Sequence, residues 1–457
     1  MNRVSMLITL LLLFSFQVNA TSAFYENRTE QPIRVRLIVN ATAPAYAGDQ
    51  YHLPPESDFG TVVIPPFQKA KVATFNRYYG LENGGMYDYY FQVYQLDENG
   101  NWFAKQDAPL AQVRLFGHGA GSTLSYGYKD RELKTDYNPY VIELYGLEGH
   151  HQEYGVKSIY TSGFDDVEFV LAEHTIADTE AREHALRIAT YNLWMIPSVS
   201  LDINERATIL DHTLSGYDVL TLQEAFSSDR DALFDALSGE YFYRTDVVGG
   251  DSMALYDGGV VTLSRYPILE TDSIVFEHCS GTDCYADKGI VYTKIDKLGQ
   301  IYHIFNTHLA SFSTPAAKRL RRLQLGLLRT FMLTKEIPQD EAVIFAGDFN
   351  IDKNNDFLEY LLMLATLEVD PPLYTGYRDA TFDPRINPYA QSQYSGGDTI
   401  EYLDYILVSS EHNRARQNIN QVKLNQRVTA ATWGEWHLSD HFGVEGHFVF
   451  DPTDNNE

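Results

Sequence analysis

In the C-terminal part of this chain, short apolar runs repeatedly end in a residue able to do chemistry. Asn192 closes IATYN, Glu224 closes VLTLQE, Asn306 and His308 close IFNTH, and Asp348 and Asn350 close VIFAGDFN. Asp440 and His441 precede FGVEGHF, and Asp404 lies within YLDYILV. Any one of these residues has a bland reading as a turn residue or cap. Together they constrain the fold more tightly. Strands packed side by side place their ends on one edge, and carboxylates gathered there repel one another unless a cation joins them.

The surrounding pattern is mixed. ALRIATYNLW, YDVLTLQEAF, GGVVTLSRY, KGIVYTKI, IYHIFNTHLA, EAVIFAGDFNI, YLDYILVS and FGVEGHFVF read as strands. Four segments read as helices: ERATILDHTLSG, stopped by Gly216; SSDRDALFDALSG, capped by Ser227 or Ser228; PAAKRLRRLQLGLLRTFMLTKE, opened by Pro315; and DFLEYLLMLATL. Strands outnumber helices and several are joined directly, which predicts a layered α/β sandwich and not a doubly wound parallel sheet. Residues 24–178 differ in character. They hold half of the 32 tyrosines and many turn residues. Runs such as IRVRLIV, YYFQVYQL and YVIELYGL, with Asn-Gly in DENGNW as a hairpin turn, predict an all-β sandwich of antiparallel strands. Residues 172–184 read as a linker or short helix. The expected division is therefore 1–20, 21–180, 185–450 and a tail, 451–457.

At 457 residues, with 44% hydrophobic and 21% charged, the chain is neither disordered nor a fibre. Its net charge of −27 gives it no general attraction for nucleic acid, so no nucleic-acid partner is expected. Residues 1–20 have an Arg in the n-region, an apolar run over 6–16, and Val18-Asn19-Ala20 as a small-x-small site. That layout is a secretory signal peptide, which predicts export by a bacterium. The two cysteines, Cys279 and Cys284, exclude a disulfide scaffold or a Cys-rich zinc module. In an exported chain they are expected to bond to each other and shape one short loop.

The oxygen-rich donor set with few sulfurs suits a hard cation such as Mg²⁺, Mn²⁺ or Ca²⁺. Mg²⁺ sites that use a few carboxylates and keep waters commonly serve phosphate chemistry. The histidines are then available as a base, and a base His needs a carboxylate to fix its tautomer. Asp404 is a candidate for that carboxylate.

In chain order, TYNLW, TLQEAF, GGVVTLSRYPI, NTHLAS, AGDFNID, YLDYILVS and LSDHFGVEGHF resemble the endonuclease/exonuclease/phosphatase superfamily, over about residues 185–450. Within it, YNLWMIP, DGGVVTLSRYPI, DKGIVYTKI, NTHLAS and EYLDYIL look most like the secreted bacterial neutral sphingomyelinases. The nuclease branch usually carries an acidic residue shortly after the first Asn, and Leu193, Trp194 and Met195 stand there instead. The resemblance implies a four-layer sandwich of the deoxyribonuclease-I-like type and a cofactor, Mg²⁺, with Mn²⁺, Co²⁺ or Ca²⁺ able to replace it. Glu224 would be the main metal ligand, with Asn192 beside it and Asp440 close by. His441 would take the proton from the attacking water, oriented by Asp404. Asp348 and Asn350 would position water and phosphate, and His308 would donate to the phosphoryl oxygens. Lys288, with Gly289, matches a Lys-Gly pair typical of the sphingomyelinase branch, in a loop over the cleft. The implied reaction hydrolyses sphingomyelin at a phospholipid membrane surface to ceramide and phosphocholine.

Several residues have blander readings. Asn306 is expected to be a structural hydrogen-bond former. Lys318, Arg319, Arg321 and Arg322 read as a solvated basic face, His150-His151 as a loop pair, and Trp433 and Trp436 as core, with cleft lining by one of them as the sharper alternative. The resemblance does not extend to residues 21–180. Three competing functions stand beside the leading one. A phosphatase on inositol phosphates or phosphoinositides would want more basic residues. A nuclease is disfavoured by charge. A non-enzymatic binding module would require a damaged catalytic set.

Overall fold

The computed structural model describes residues 20–41, 51–52, 60–77, 81–145, 150–161, 164–177, 179–249, 254–377, 379–393 and 397–451. The expected export signal lies outside them except for Ala20, the first residue of a strand, and so does the tail beyond Asp451. Among the described residues no helix is long and apolar enough to cross a membrane. The chain forms two compact units. The first comprises residues 1–144, 152–173 and 428–433, and the second residues 145–151, 174–427 and 434–457.

The first unit is built on two sheets. One runs Thr61–Ile64, Ile33–Ala41, Met86–Leu96, Ala111–Gly117 and Ser122–Tyr128, with Trp102–Phe103 hairpinned onto Met86–Leu96 across the Asn-Gly turn. The other carries Ala20–Arg28 between Phe164–Thr175 and Gln68–Asn76. Ala20–Arg28 pairs parallel with Phe164–Thr175, so the expectation of antiparallel strands throughout is corrected. The two strands lie far apart in sequence, and a long connection permits a parallel neighbour where a hairpin does not. The aromatic residues fill the core: Tyr25, Phe75, Tyr89, Phe91, Tyr128 and Phe169 are all buried, with Phe75 and Tyr89 ring centroids 4.5 Å apart. The short segment 428–433 belongs here. The Val428 N–H donates to Glu153 Oε2 at 2.5 Å, and Gly155 has no room for a Cβ because Val428 and Trp433 crowd it.

The second unit is a four-layer sandwich. Its strands are β1 (Ala185–Asn192), β2 (Val219–Gln223), β3 (Val261–Ser264), β4 (Ile268–Val275), β5 (Gly289–Lys297), β6 (Gln300–His308), β7 (Ala342–Asp348), β8 (Asp404–Ser409), β9 (Ala415–Lys423) and β10 (Gly443–Phe450). One sheet has β3-β2-β1-β10-β9 at its centre, and the other has β4-β5-β6-β7-β8. Their facing sides form one apolar layer that includes Ile188, Val219, Ile304, Ile344, Ile406 and Phe448. Helices α1 (Pro315–Leu333) and α2 (Phe357–Leu367) cover the outside of the second sheet, where Phe331 meets Tyr292 and Phe305 edge-on. Short helices at Ile203–Ala207 and Arg230–Leu237 cover the first sheet, around Leu220, Leu222, Leu233 and Phe234.

Four local expectations change. ERATILDHTLSG is one turn of helix, Ile203–Ala207, followed by a 3₁₀ turn at Asp211–Thr213. The Arg206 side chain binds backbone carbonyls inward, so the segment folds around that residue instead of continuing as an amphipathic helix. The next helix begins at Arg230 with Asp229 before it. Neither Ser227 nor Ser228 is its cap, and the Ser227 hydroxyl accepts from the Asp229 N–H. Residues 172–175 extend a strand, and His150-His151 opens one, so neither is linker or loop.

Candidate active site

Parallel pairing brings the site together. β1 pairs parallel with β2, and β6 with β7, so each pair delivers its C-terminal end to the same edge. Asn192 and Glu224 leave one sheet there. His308 and Asp348 are register partners on the other, and Asp348 faces Asp404 on β8. The glycine of AGDFN is required by this packing: at Gly347 (φ +141°) a Cβ would lie 1.9 Å from the Thr307 carbonyl oxygen on β6. Glu224, Trp194 and Asn350 all adopt left-handed backbone angles, with φ of 53°, 48° and 53°. Such conformations are uncommon outside glycine and gather where surrounding structure dictates side-chain direction.

Asn192 Nδ2 donates to Asp348 Oδ2 at 3.1 Å, while its Oδ1 accepts from the Trp194 N–H. Asp348 Oδ1 accepts from the Asn350 N–H at 2.9 Å, and Asn350 Nδ2 donates to the Leu309 carbonyl. His441 Nδ1 lies 2.9 Å from Asp404 Oδ2, which leaves Nε2 turned toward Asp348 Oδ2 at 3.9 Å. His308 Nε2 lies 3.5 Å from Asp348 Oδ2 and 3.9 Å from Glu224 Oε1. Lys288 Nζ donates to His308 Nε2 at 3.0 Å and to Ser311 Oγ at 2.7 Å, and pairs with Asp283 Oδ1 at 2.8 Å. Asp440 stands beside them, accepting from Ser439 Oγ. Glu224, Lys288, Asp348, Asn350, Asp440 and His441 line a cleft of about 530 Å³ whose walls include Trp194, Phe226, Tyr256, Tyr285, Phe312 and Phe382, whereas Asn192, His308 and Asp404 stand behind that wall. His308, expected to donate to a phosphoryl group, instead meets Lys288 through Nε2.

The electrostatics fit a missing positive charge. Burial, then the Asp440 carboxylate, pushes Glu224 up to about 7. Burial and Asp404 push Asp348 up to about 6, and burial raises Asp440 as well. Among the described residues, Glu224 Oε2 and Asp404 Oδ1 are buried with no hydrogen-bond partner. Buried carboxylates in this state prefer a proton or a cation. Asp348, Asp404 and His441 bring ligand atoms within 4.8 Å of one another. Burial by itself would lower His441, but Asp404 and Asp440 hold its imidazole well above the ordinary range. Burial, Lys288 and His441 hold His308 well below it. An oxygen-lined pocket with unsatisfied carboxylates fits a hard divalent ion.

The structure also places the remaining residues of interest. Asn306 ties the two sheets together, donating to the Val261 and Leu222 carbonyls and accepting from Gln223 Nε2. Cys279 and Cys284 are bonded, in the loop that carries Asp283. Trp436 is buried, and neither it nor Trp433 lines the cleft; Trp194 does, because the chain turns inward directly after Asn192. The basic run is not one solvated face: Arg321 is buried in a two-pronged pair with Glu359, and Lys318 pairs with Asp356. Sequence reasoning missed Arg206, Asn387 and Ser439. Arg206 holds the Leu193 and Trp194 carbonyls and that of Leu438, and Asn387 holds those of Ser439 and Asp440. Ser439 Oγ donates to the Asn192 carbonyl. Ser439 adjoins Asp440 and was open to notice; Arg206 carries no distinguishing local signal.

A profile of the Endonuclease/Exonuclease/phosphatase family matches residues 189–441, more than half of the chain and the whole span of the strand-end residues. The chain belongs to this family. Among similar family members, Sphingomyelinase C of Bacillus cereus is 34% identical over 303 residues, covering 59% of this chain and 90% of that protein. Sphingomyelinase C 2 of Leptospira interrogans is 32% identical over 295 residues, covering 59% of this chain and 47% of that protein, so the chain spans about half of that relative's length. A crystal structure of a magnesium-bound mutant of the beta toxin from Staphylococcus aureus superposes with a TM-score of 0.54 at 30% identity, over 57% of this chain and 99% of that one.

Proposed function

We propose that this chain is a secreted, Mg²⁺-dependent phosphodiesterase that hydrolyses sphingomyelin to ceramide and phosphocholine at a membrane surface. The observation that carries the reading is the set of buried carboxylates with raised pKa values beside a His441–Asp404 pair in one cleft. The similarity to sphingomyelinases C of Bacillus and Leptospira, and to a magnesium-bound beta toxin, supports the substrate and the ion. Residues 185–450 carry the chemistry, residues 21–180 form an accessory part, and residues 1–20 direct export.

Glu224 would hold the cation, with Asn192 and Asp440 beside it. When bound, that ion supplies Lewis-acid polarisation of the phosphoryl group and offsets the charge that builds on its oxygens. Asp404 fixes His441 with Nε2 toward the cleft. With a cation on the neighbouring carboxylates to offset the negative charge that holds this imidazole up, Nε2 is able to take the proton of the attacking water. Asp348 and Asn350 position the water and the phosphate. Lys288 offers positive charge to the phosphoryl oxygens. The neutral His308 accepts a hydrogen bond from the Lys288 ammonium and orients it. The aromatic cleft walls exclude water and suit a choline headgroup.

The test is phosphocholine release from sphingomyelin liposomes by the protein starting at Thr21, with Mg²⁺ and with EDTA, beside phosphatidylcholine, phosphoinositide and DNA. Mg²⁺-dependent release confined to sphingomyelin is expected. Turnover of phosphoinositide or DNA instead would overturn the substrate assignment.

A further inference from the structure

α2 is apolar on both sides. It buries Tyr360, Met363 and Leu367 against the second sheet, yet its outward positions are also large and apolar. Phe357, Leu358, Leu361 and Leu362 are 60%, 67%, 44% and 39% exposed, and the charged residue among them, Glu359, is turned inward onto Arg321. A surface helix ordinarily carries polar residues there, and apolar side chains grouped in this way mark a contact surface. On the neighbouring α1, Arg319 and Arg322 point outward, and among the described residues neither pairs with a carboxylate. Beyond that ridge, Leu323 and Leu327 flank a mainly apolar groove of about 310 Å³ against Val275 and Phe276, with Glu277, His278 and Gln324 also in its lining. The outer layer is thus a basic ridge between two apolar strips, on a chain of net charge −27.

We propose that this α1–α2 face docks on a phospholipid bilayer containing anionic lipid. The proposal rests on the lipid phosphodiesterase reading and names the surface that serves it. Two features select a bilayer. Arginines between apolar strips match the phosphate level of a headgroup layer and the acyl boundary beneath it, whereas a second copy of this acidic chain would be repelled. The face is also continuous with the cleft. α1 and α2 follow directly on the strands that deliver His308 and Asp348, and Phe312, on the cleft wall and 46% exposed, stands two residues before the α1 cap Thr314. The N-terminal end of α1 thus adjoins the cleft wall.

The test is vesicle sedimentation in EDTA, so that no turnover is needed, with sphingomyelin–phosphatidylcholine vesicles with and without phosphatidylglycerol. Leu358→Ser with Leu361→Ser should weaken binding at least tenfold on both vesicles. Arg319→Gln with Arg322→Gln should weaken it roughly thirtyfold on anionic vesicles only. All four positions are exposed, so urea midpoints should match the wild type. With Mg²⁺ restored, hydrolysis of soluble p-nitrophenyl phosphocholine should be unchanged in both variants. Vesicle binding within twofold of wild type in both would overturn the proposal. So would a wild-type dimer that the leucine variant dissociates, which would assign the face to self-association. A wild type that cleaves neither vesicles nor the soluble diester would sink the activity reading alone, because the EDTA binding comparison still decides the docking surface.

Discussion

Arg206 is fully buried with its guanidinium spread over the carbonyl oxygens of Leu193, Trp194, Leu201 and Leu438, and stacked near Trp194 and Tyr389. It ties the turn after Asn192 to the turn before Asp440. Arg206→Met would leave those carbonyls unpaired in the interior, at a cost of about 4 kcal/mol. Urea unfolding should show that loss, and turnover should fall although no ligand residue has changed. Arg206→Lys keeps the charge but not the fork and should recover only part of either. At the reaction centre, His441→Ala should lower turnover about 10²–10⁴-fold with the fold intact, measured by phosphocholine release and circular dichroism. Glu224→Gln should abolish the stabilisation that Mg²⁺ gives the wild type, about 2.7 kcal/mol at one hundred times its dissociation constant, read as a shift in denaturation midpoint. The chemistry-bearing residues were legible because strand ends impose a place on them: a Glu after VLTLQ has nowhere to go but the sheet edge. Arg206 was not legible, because a single Arg in a polar helical stretch looks the same whether it faces water or the interior.

At the level of elements, β10 carries a charged knot where β1 and β9 flank it. Glu445 meets His447 Nε2 at 2.5 Å, Arg187 Nε at 3.2 Å and Lys423 Nζ at 3.4 Å. Burial alone would raise its carboxyl, but His447, Lys423 and Arg187 outweigh that and hold it at about 2. The folded pKa lies below the unfolded value of about 4.3. The stabilisation is therefore complete above that unfolded value and is lost as pH falls through about 2. It amounts to about 3 kcal/mol. Urea midpoints should fall more steeply between pH 6 and pH 3 in the wild type than in Glu445→Gln, and equal slopes would refute the assignment. Element type was largely legible from periodicity: Pro315 starts α1 as expected, while the caps Thr314 and Asp356 were not read from the sequence. What periodicity missed was burial. The same leucine-rich pattern in DFLEYLLMLATL serves a covered helix and an uncovered one, and only the packing of α2 on one side distinguishes them.

For the whole molecule, composition changes near residue 180, whereas the two compact units change over at 144/145, 151/152 and 173/174, and the excursion of residues 428–433 into the first unit left no mark in the sequence. Those residues follow a polar strand and contain no export or turn signal. Their place depends on a partner carboxylate, Glu153, some 275 positions earlier. Proteolytic nicking between residues 176 and 184 should therefore leave two fragments that co-elute on gel filtration, because the larger one still supplies Val428 to the first unit. Separation under native conditions would contradict this. Time during synthesis adds a further consequence. The front unit is the first to leave the ribosome and, if exported, the first to cross the membrane, yet it stays unfinished until residue 433 has followed. A chain halted anywhere before Val428 lacks both the His441 strand end and this closing piece. Early termination therefore leaves Gly155 without Val428 and Trp433 packed against it.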